Sequence, residues 1–177
     1  MIAKQQKIRS QDMNKLSGNI KALVLLVWVI LISSTVIANY THPGVDRLIQ
    51  ANEEPAGVVF ELIERDKKTW EWAAPMIKDL KAQLKEKYPN LDIAIVSHGR
   101  EQFQLMSRRV NEQPEAISLL RDIVKDGTNL HVCGVYSGWR DVKPEEYIDI
   151  VDVAASGPAK INDYINLGYV PIQLYKK

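Results

Sequence analysis

The sequence holds one cysteine, Cys133, which excludes an internal disulfide framework and any metal site built from cysteines alone. It has almost no charge excess, with 23 Lys and Arg against 22 Asp and Glu for a net charge of +1. A balance this even argues against nucleic acid as a partner. No GxGxxG follows the first apolar run and no GxxxxGKS/T occurs, so neither a dinucleotide site nor a P-loop is expected. Internal repeats and low-complexity tracts are also missing. What is there is ordinary for a folding chain: 46% hydrophobic and 25% charged residues over 177 positions, enough for one core-forming domain and a short additional segment.

The small net charge hides an asymmetry. Residues 1–38 carry Lys4, Lys7, Arg9, Lys15 and Lys21 against Asp12 alone. Behind the basic head (1–21) runs ALVLLVWVILISSTVIA, the 17 uncharged residues Ala22–Ala38. As a helix this run would reach roughly 26 Å, just short of the ~30 Å hydrocarbon core of a bilayer. Its most apolar stretch, Ala22–Ile32, has the length of a signal-peptide core, and Met13 offers an alternative start that shortens the head. The segment 22–38 therefore reads as either a cleaved signal peptide or a retained transmembrane anchor. In both cases the basic flank stays cytoplasmic and the rest is exported, to be periplasmic or membrane-anchored.

Residues 39–55 are polar, broken by Pro43-Gly44 and closed by Glu53-Glu54-Pro55, and read as a linker with at most one helical turn around Asp46–Gln50. His42 in it reads as solvated. From residue 56 to 177 short apolar runs alternate with helical periodicity. Strands are expected at Gly57–Ile63, Leu91–Ser97, Asn129–Val135, Ile150–Ser156 and Tyr169–Leu174. Trp70, Ala73, Ala74, Ile77, Leu80 and Leu84 recur at three- and four-residue steps, which predicts an amphipathic helix over Thr69–Lys87 despite Pro75. Further helices are expected at Gln102–Val110, at Pro114–Lys125, after Lys143-Pro144, and from Gly157-Pro158 to Leu167 with Ser156 as cap. Strands separated by helices, with apolar runs too continuous for a one-sided sheet, predict a three-layer, doubly wound α/β domain. Its sheet is mostly parallel, of about five strands, with helices on both faces.

Ligands of such a sheet meet the chain just beyond the carboxyl ends of the strands. The second strand exits into Ser97-His98-Gly99-Arg100, the third into Cys133-Gly134 and the aromatic run Tyr136-Ser137-Gly138-Trp139-Arg140, the fourth into Ser156-Gly157-Pro158. Cys133 is the main chemical candidate, set against its reading as a small buried hydrophobe. Gly134 lets the backbone approach a ligand, and the helix opening at Gly157 can aim its positive end at the same edge, which favours a thiolate. His98 reads either as a proton shuttle and polar lining or as a structural histidine. His131, two residues before Cys133 on the same strand face, reads as packed beneath the site. No spacing among His98, His131 and Cys133 matches a metal motif, and neither a metal nor a cofactor is expected.

Through IAIVSHG (Ile93–Gly99), LHVCGV (Leu130–Val135) and VDVAASGPAKINDYINLGYVPIQL (Val151–Leu174), the stretch from Pro55 to Leu174 resembles the DsrE/DsrF-like (YchN-like) sulfur-relay family. The resemblance implies the three-layer α/β fold, assembly as a homo-oligomer (trimer or hexamer), and sulfane sulfur held as a persulfide. It implies Cys133 as the accepting residue, with His98, Gly99, Gly134, Ser156 and Gly157 around it, and a thiol or sulfur compound as partner. The best-understood relay members work in the cytoplasm, whereas the leader here points to an extracytoplasmic sulfur compound and, if uncleaved, to a membrane tether. The alternative function is a non-catalytic, oligomeric binding module with a structural cysteine.

Overall fold

The computed structural model describes residues 40–176; the basic head and the segment 22–38 lie outside the described residues. Among the described residues no helix is long and apolar enough to cross a membrane.

Five strands form one sheet: β1 (Gly57–Leu62), β2 (Asp92–Ser97), β3 (Asn129–Cys133), β4 (Asp152–Ala154) and β5 (Tyr169–Leu174). Their spatial order is β4-β3-β2-β1-β5 and every pairing is parallel. Parallel neighbours require crossovers, and these use both faces. Helices α2 (Thr69–Lys87) and α3 (Pro114–Lys125) follow β1 and β2 and cover one face, where Phe60, Ile95 and Val132 meet Ile77, Leu80 and Leu120 in the main core. Helix α5 (Gly157–Asn166) leaves β4 at one edge, returns to β5 at the other, and covers the opposite face, where Ile161 and Tyr164 pack on Val59, Ala94 and Val96. Steps in opposite directions across a sheet must use opposite faces if both are right-handed. The three-layer α/β expectation holds, with a sheet that is parallel throughout.

Helix α2 has the bounds its periodicity predicts, and its stripe from Trp70 to Leu84 is buried. Gly127 (φ 82°) and Gly168 (φ 87°) follow α3 and α5 in the left-handed conformation glycine adopts freely.

Four segments differ from the sequence reading. The expected linker contains an eight-residue helix, α1 (Pro43–Gln50), packed on α2 with Val45 fully buried. It is held by contacts remote in sequence: His42 Nδ1 accepts from Gly44 N–H (3.1 Å) while its Nε2 donates to the Gln173 carbonyl (3.0 Å), and Tyr88 Oη donates to the Leu48 carbonyl (3.0 Å). His42 is thus buried and anchoring rather than solvated. Second, the helix expected at Gln102–Val110 is a pair of 3-10 segments, Arg100–Leu105 and Ser107–Glu112. The first of them buries Glu101, Gln102 and Gln104, whose side chains turn inward to bind the backbone of the loop after β1 (Glu64, Asp66) and of Cys133 at the end of β3. Third, the strand expected to reach Val135 ends at Cys133, where the chain turns into the short helix α4 (Gly134–Gly138). Fourth, the edge strand β4 is three residues long, and Pro144–Glu146 forms only a 3-10 turn.

Candidate functional site

Because α2 and α5 leave the sheet on opposite faces, the chain diverges at the carboxyl edge and leaves a crevice there. A pocket of about 580 Å³ occupies it. Its walls are the exits of four strands: Ile63, Glu64 and Arg65 after β1, His98, Gly99 and Arg100 after β2, Cys133 and α4 with Trp139 and Arg140 after β3, and Ser156 and Pro158 after β4.

Cys133 closes β3 on the α5 side of the sheet and is 5% exposed. Its backbone is clamped by one side chain from 31 residues earlier: Gln102 Oε1 accepts from Cys133 N–H (3.0 Å) and Gln102 Nε2 donates to the Cys133 carbonyl (3.2 Å). Ser137 Oγ donates to the same carbonyl (2.9 Å) and lies 2.8 Å from Tyr147 Oη. Burial pushes the Tyr147 phenol up from its ordinary range, so this cluster stays uncharged. Pairing with β2 ends one residue earlier, at Val132, while Cys133 still pairs with Ala154 of β4, so on its β2 side the cysteine backbone is held by this side-chain clamp.

His98, 12% exposed, bonds through Nε2 to Glu61 Oε1 at 2.8 Å. Glu61 was not a sequence candidate, although an acid inside the apolar run GVVFELI is a readable signal. Gly157, the first residue of α5, is wedged between the two site residues: a Cβ there would lie 2.5 Å from His98 Cβ and 3.3 Å from Cys133 Cβ. Glycine at 157 is therefore what lets the amide end of α5 come down onto the cysteine. Ser156 occupies the cap position of α5, but its hydroxyl makes no capping bond; instead it lines the pocket.

Gly134 and Gly99 hold close approaches of backbone to backbone. A Cβ on Gly134 would meet the Ala154 carbonyl oxygen at 2.8 Å, and one on Gly99 would meet Glu64 N at 2.5 Å. Beneath Gly99 lies Glu101, a fully buried carboxylate. It accepts from Glu64 N–H (2.7 Å), Gly99 N–H (2.9 Å) and Ser97 Oγ (2.7 Å), so one side chain ties the β1 exit to the β2 exit. Burial pushes its carboxyl above the ordinary 4.5, opposed by those hydrogen bonds. Neither Glu101 nor Gln102 was a sequence candidate, because a polar pair at the start of an expected helix gives no sign of being buried.

His131 sits beneath the site, as its register predicts, and does not line the pocket. Its Nδ1 donates to Asp152 Oδ2 (2.7 Å) and its Nε2 accepts from Tyr164 Oη (2.9 Å). Burial holds the imidazole below its ordinary 6.5, against the upward pull of Asp152. Among the described residues no group of His, Cys, Asp and Glu is gathered as a metal site.

No protein-family model matches the chain, and no curated protein matches it. Among solved structures it is similar to the protein of unknown function MTH1491 from Methanobacterium thermoautotrophicum, with 19% identity and a TM-score of 0.55 over 66% of this chain and 97% of that one. It also matches the conserved protein of unknown function BT1422 from Bacteroides thetaiotaomicron, with 12% identity and a TM-score of 0.44 over 66% of this chain and 93% of that one. The likeness to MTH1491 is one of fold.

Proposed function

We propose that this domain is a sulfur carrier of the DsrE-like kind, holding sulfane sulfur as a persulfide on Cys133 in an extracytoplasmic compartment, exported or tethered by the segment 22–38 and assembled as a homo-oligomer. The observation that carries the reading is the position of the chain's one sulfhydryl: Cys133 lines the pocket at the sheet's carboxyl edge, beside His98 and under the first turn of α5. The resemblance of the strand-exit motifs to the relay family supports it.

The reaction is an exchange. The Cys133 thiolate attacks the outer sulfur of a persulfide donor R–S–S⁻. A Cys133–S–S⁻ bond forms, the donor's S–S bond breaks, and R–S⁻ leaves with its electron pair. Discharge to an acceptor thiolate is the same step reversed, so no external oxidant is consumed. In this reading His98, which lines the same pocket and is bonded to Glu61, delivers or takes the proton of the leaving thiol.

A carrier must also release what it holds. Protein loaded with polysulfide and desalted should therefore yield thiocyanate on adding cyanide, at least one per chain, with Cys133→Ser yielding none. Equal release from the variant would refute the proposal.

The 5% exposure of Cys133 favours a second reading, a binding module in which the cysteine is structural. Under that reading a thiol reagent reacts with Cys133 only after the chain is unfolded.

A further inference from the structure

The pocket is ringed by arginines that have no acidic partner. Three of the four arginines elsewhere among the described residues are ion-paired, Arg108 with Glu146 (3.0 Å), Arg109 with Glu112 (2.7 Å) and Arg121 with Asp149 (2.7 Å), Arg47 of α1 being the exception. The three that line the pocket, Arg65, Arg100 and Arg140, have no acidic partner among the described residues. Arg140 rests only on Tyr136, with its guanidinium 5.6 Å from the ring centroid and a 3.4 Å contact to the hydroxyl. Glu64 is the one acid in the lining; the nearby carboxylate of Glu61 is taken by His98. Between the arginines the rim is apolar and open to solvent, with Ile63 46%, Val135 45% and Trp139 76% exposed.

Three unpaired cations around a concave, partly apolar wall focus a positive potential on its interior. Guanidinium groups form paired hydrogen bonds to planar or tetrahedral oxyanions. The volume of about 580 Å³ is that of a site for a small organic molecule.

We propose that the pocket selects small organic anions: the sulfur compound exchanged at Cys133 carries a carboxylate or sulfonate, held by Arg65, Arg100 and Arg140, on a short apolar body that lies against Ile63, Val135 and Trp139. In the exchange R–S–S⁻ + Cys133–S⁻ → R–S⁻ + Cys133–S–S⁻, the group R bears the oxyanion. The identity of the transferred atom rests on the carrier reading above, whereas the selectivity for an anion rests on the arginines.

Two reagents of one size separate these claims. On the full chain, the rate at which iodoacetate alkylates Cys133, divided by the rate for neutral iodoacetamide, should be about tenfold higher folded than urea-unfolded, the scale of one charge-assisted contact. The folded ratio should fall to the unfolded value in the triple variant Arg65→Gln, Arg100→Gln, Arg140→Gln. A folded ratio equal to the unfolded one, or one unchanged in the triple variant, overturns the proposal. If neither reagent reaches folded Cys133, the carrier reading fails, and anion selectivity is decided on Cys133→Ser protein by Trp139 fluorescence, assigned with Trp139→Phe. Benzenesulfonate should then bind about tenfold more tightly than neutral benzenesulfonamide and lose that advantage without the arginines. Equal affinities, or no binding of the sulfonate, overturn the proposal.

Discussion

Gly157 stands between His98 and Cys133 with no room for one more carbon: a Cβ at 157 would come within 2.5 Å of His98 Cβ and 3.3 Å of Cys133 Cβ. Both atoms belong to short, backbone-fixed side-chain stems, so neither can rotate out of the way. The first turn of α5 would have to lift off the sheet.

Gly157→Ala is therefore expected to destabilise the fold by about 1–3 kcal/mol, the range for overpacking a filled interior. The same change should alter the alkylation rate of Cys133, because the turn that lifts is the one covering it. Denaturant unfolding and thiol kinetics on the same preparation check both. An unchanged midpoint would show that α5 does not bear on the two site residues as described.

Glu101→Gln tests the tie between the β1 and β2 exits. The carboxylate accepts three donors, from Glu64, Gly99 and Ser97. A carboxamide presents an NH₂ to at least one of them, leaving a buried donor unpaired at about 1–3 kcal/mol. The carboxyl of the folded chain is held above its ordinary 4.5 by burial, so the folded state takes up its proton before the unfolded one. The stability of the native chain relative to the variant should then rise as pH falls from neutrality towards 4.5. Urea titrations of both proteins across that range measure it, and parallel pH profiles would contradict it.

His131 should make the fold acid-sensitive. Its imidazole is held below 6.5 in the folded chain by burial, so the unfolded chain binds the proton first. The stability it supports is present above 6.5 and lost as pH falls through the folded value. The loss should be smaller in His131→Gln, where nothing titrates at that position. Unfolding midpoints between about pH 5 and pH 7.5 decide it, and equal slopes in the two proteins would contradict it.

How much of this was legible in the sequence follows from which forces were local. Helix α2 and strands β1 and β5 are written in their own periodicity, because Trp70 to Leu84 and Val58 to Leu62 need only a face to bury. The meeting of His98, Cys133 and Ser156 at one edge could be read from parallel-sheet logic, since all three lie at or just beyond the carboxyl ends of strands. Other features depend on partners far along the chain. Helix α1 is held by a bond from His42 to a residue 131 positions away, so the polar run around it looks like a linker. The backbone of Cys133 is held by Gln102, and a glutamine at the start of an expected helix gives no sign of being buried. The arginines at the pocket mouth look like any solvated charges until the fold shows which of them lack a carboxylate.

The central claim is that Cys133 accepts and holds sulfane sulfur, and intact mass after exposure to polysulfide addresses it most directly. The native chain should gain about 32 Da, one sulfur atom, or a small multiple of it, removed again by a reducing thiol, while Cys133→Ser gains nothing. A native chain that stays unmodified while folded, or a variant that takes up as much sulfur as the native, would contradict the account.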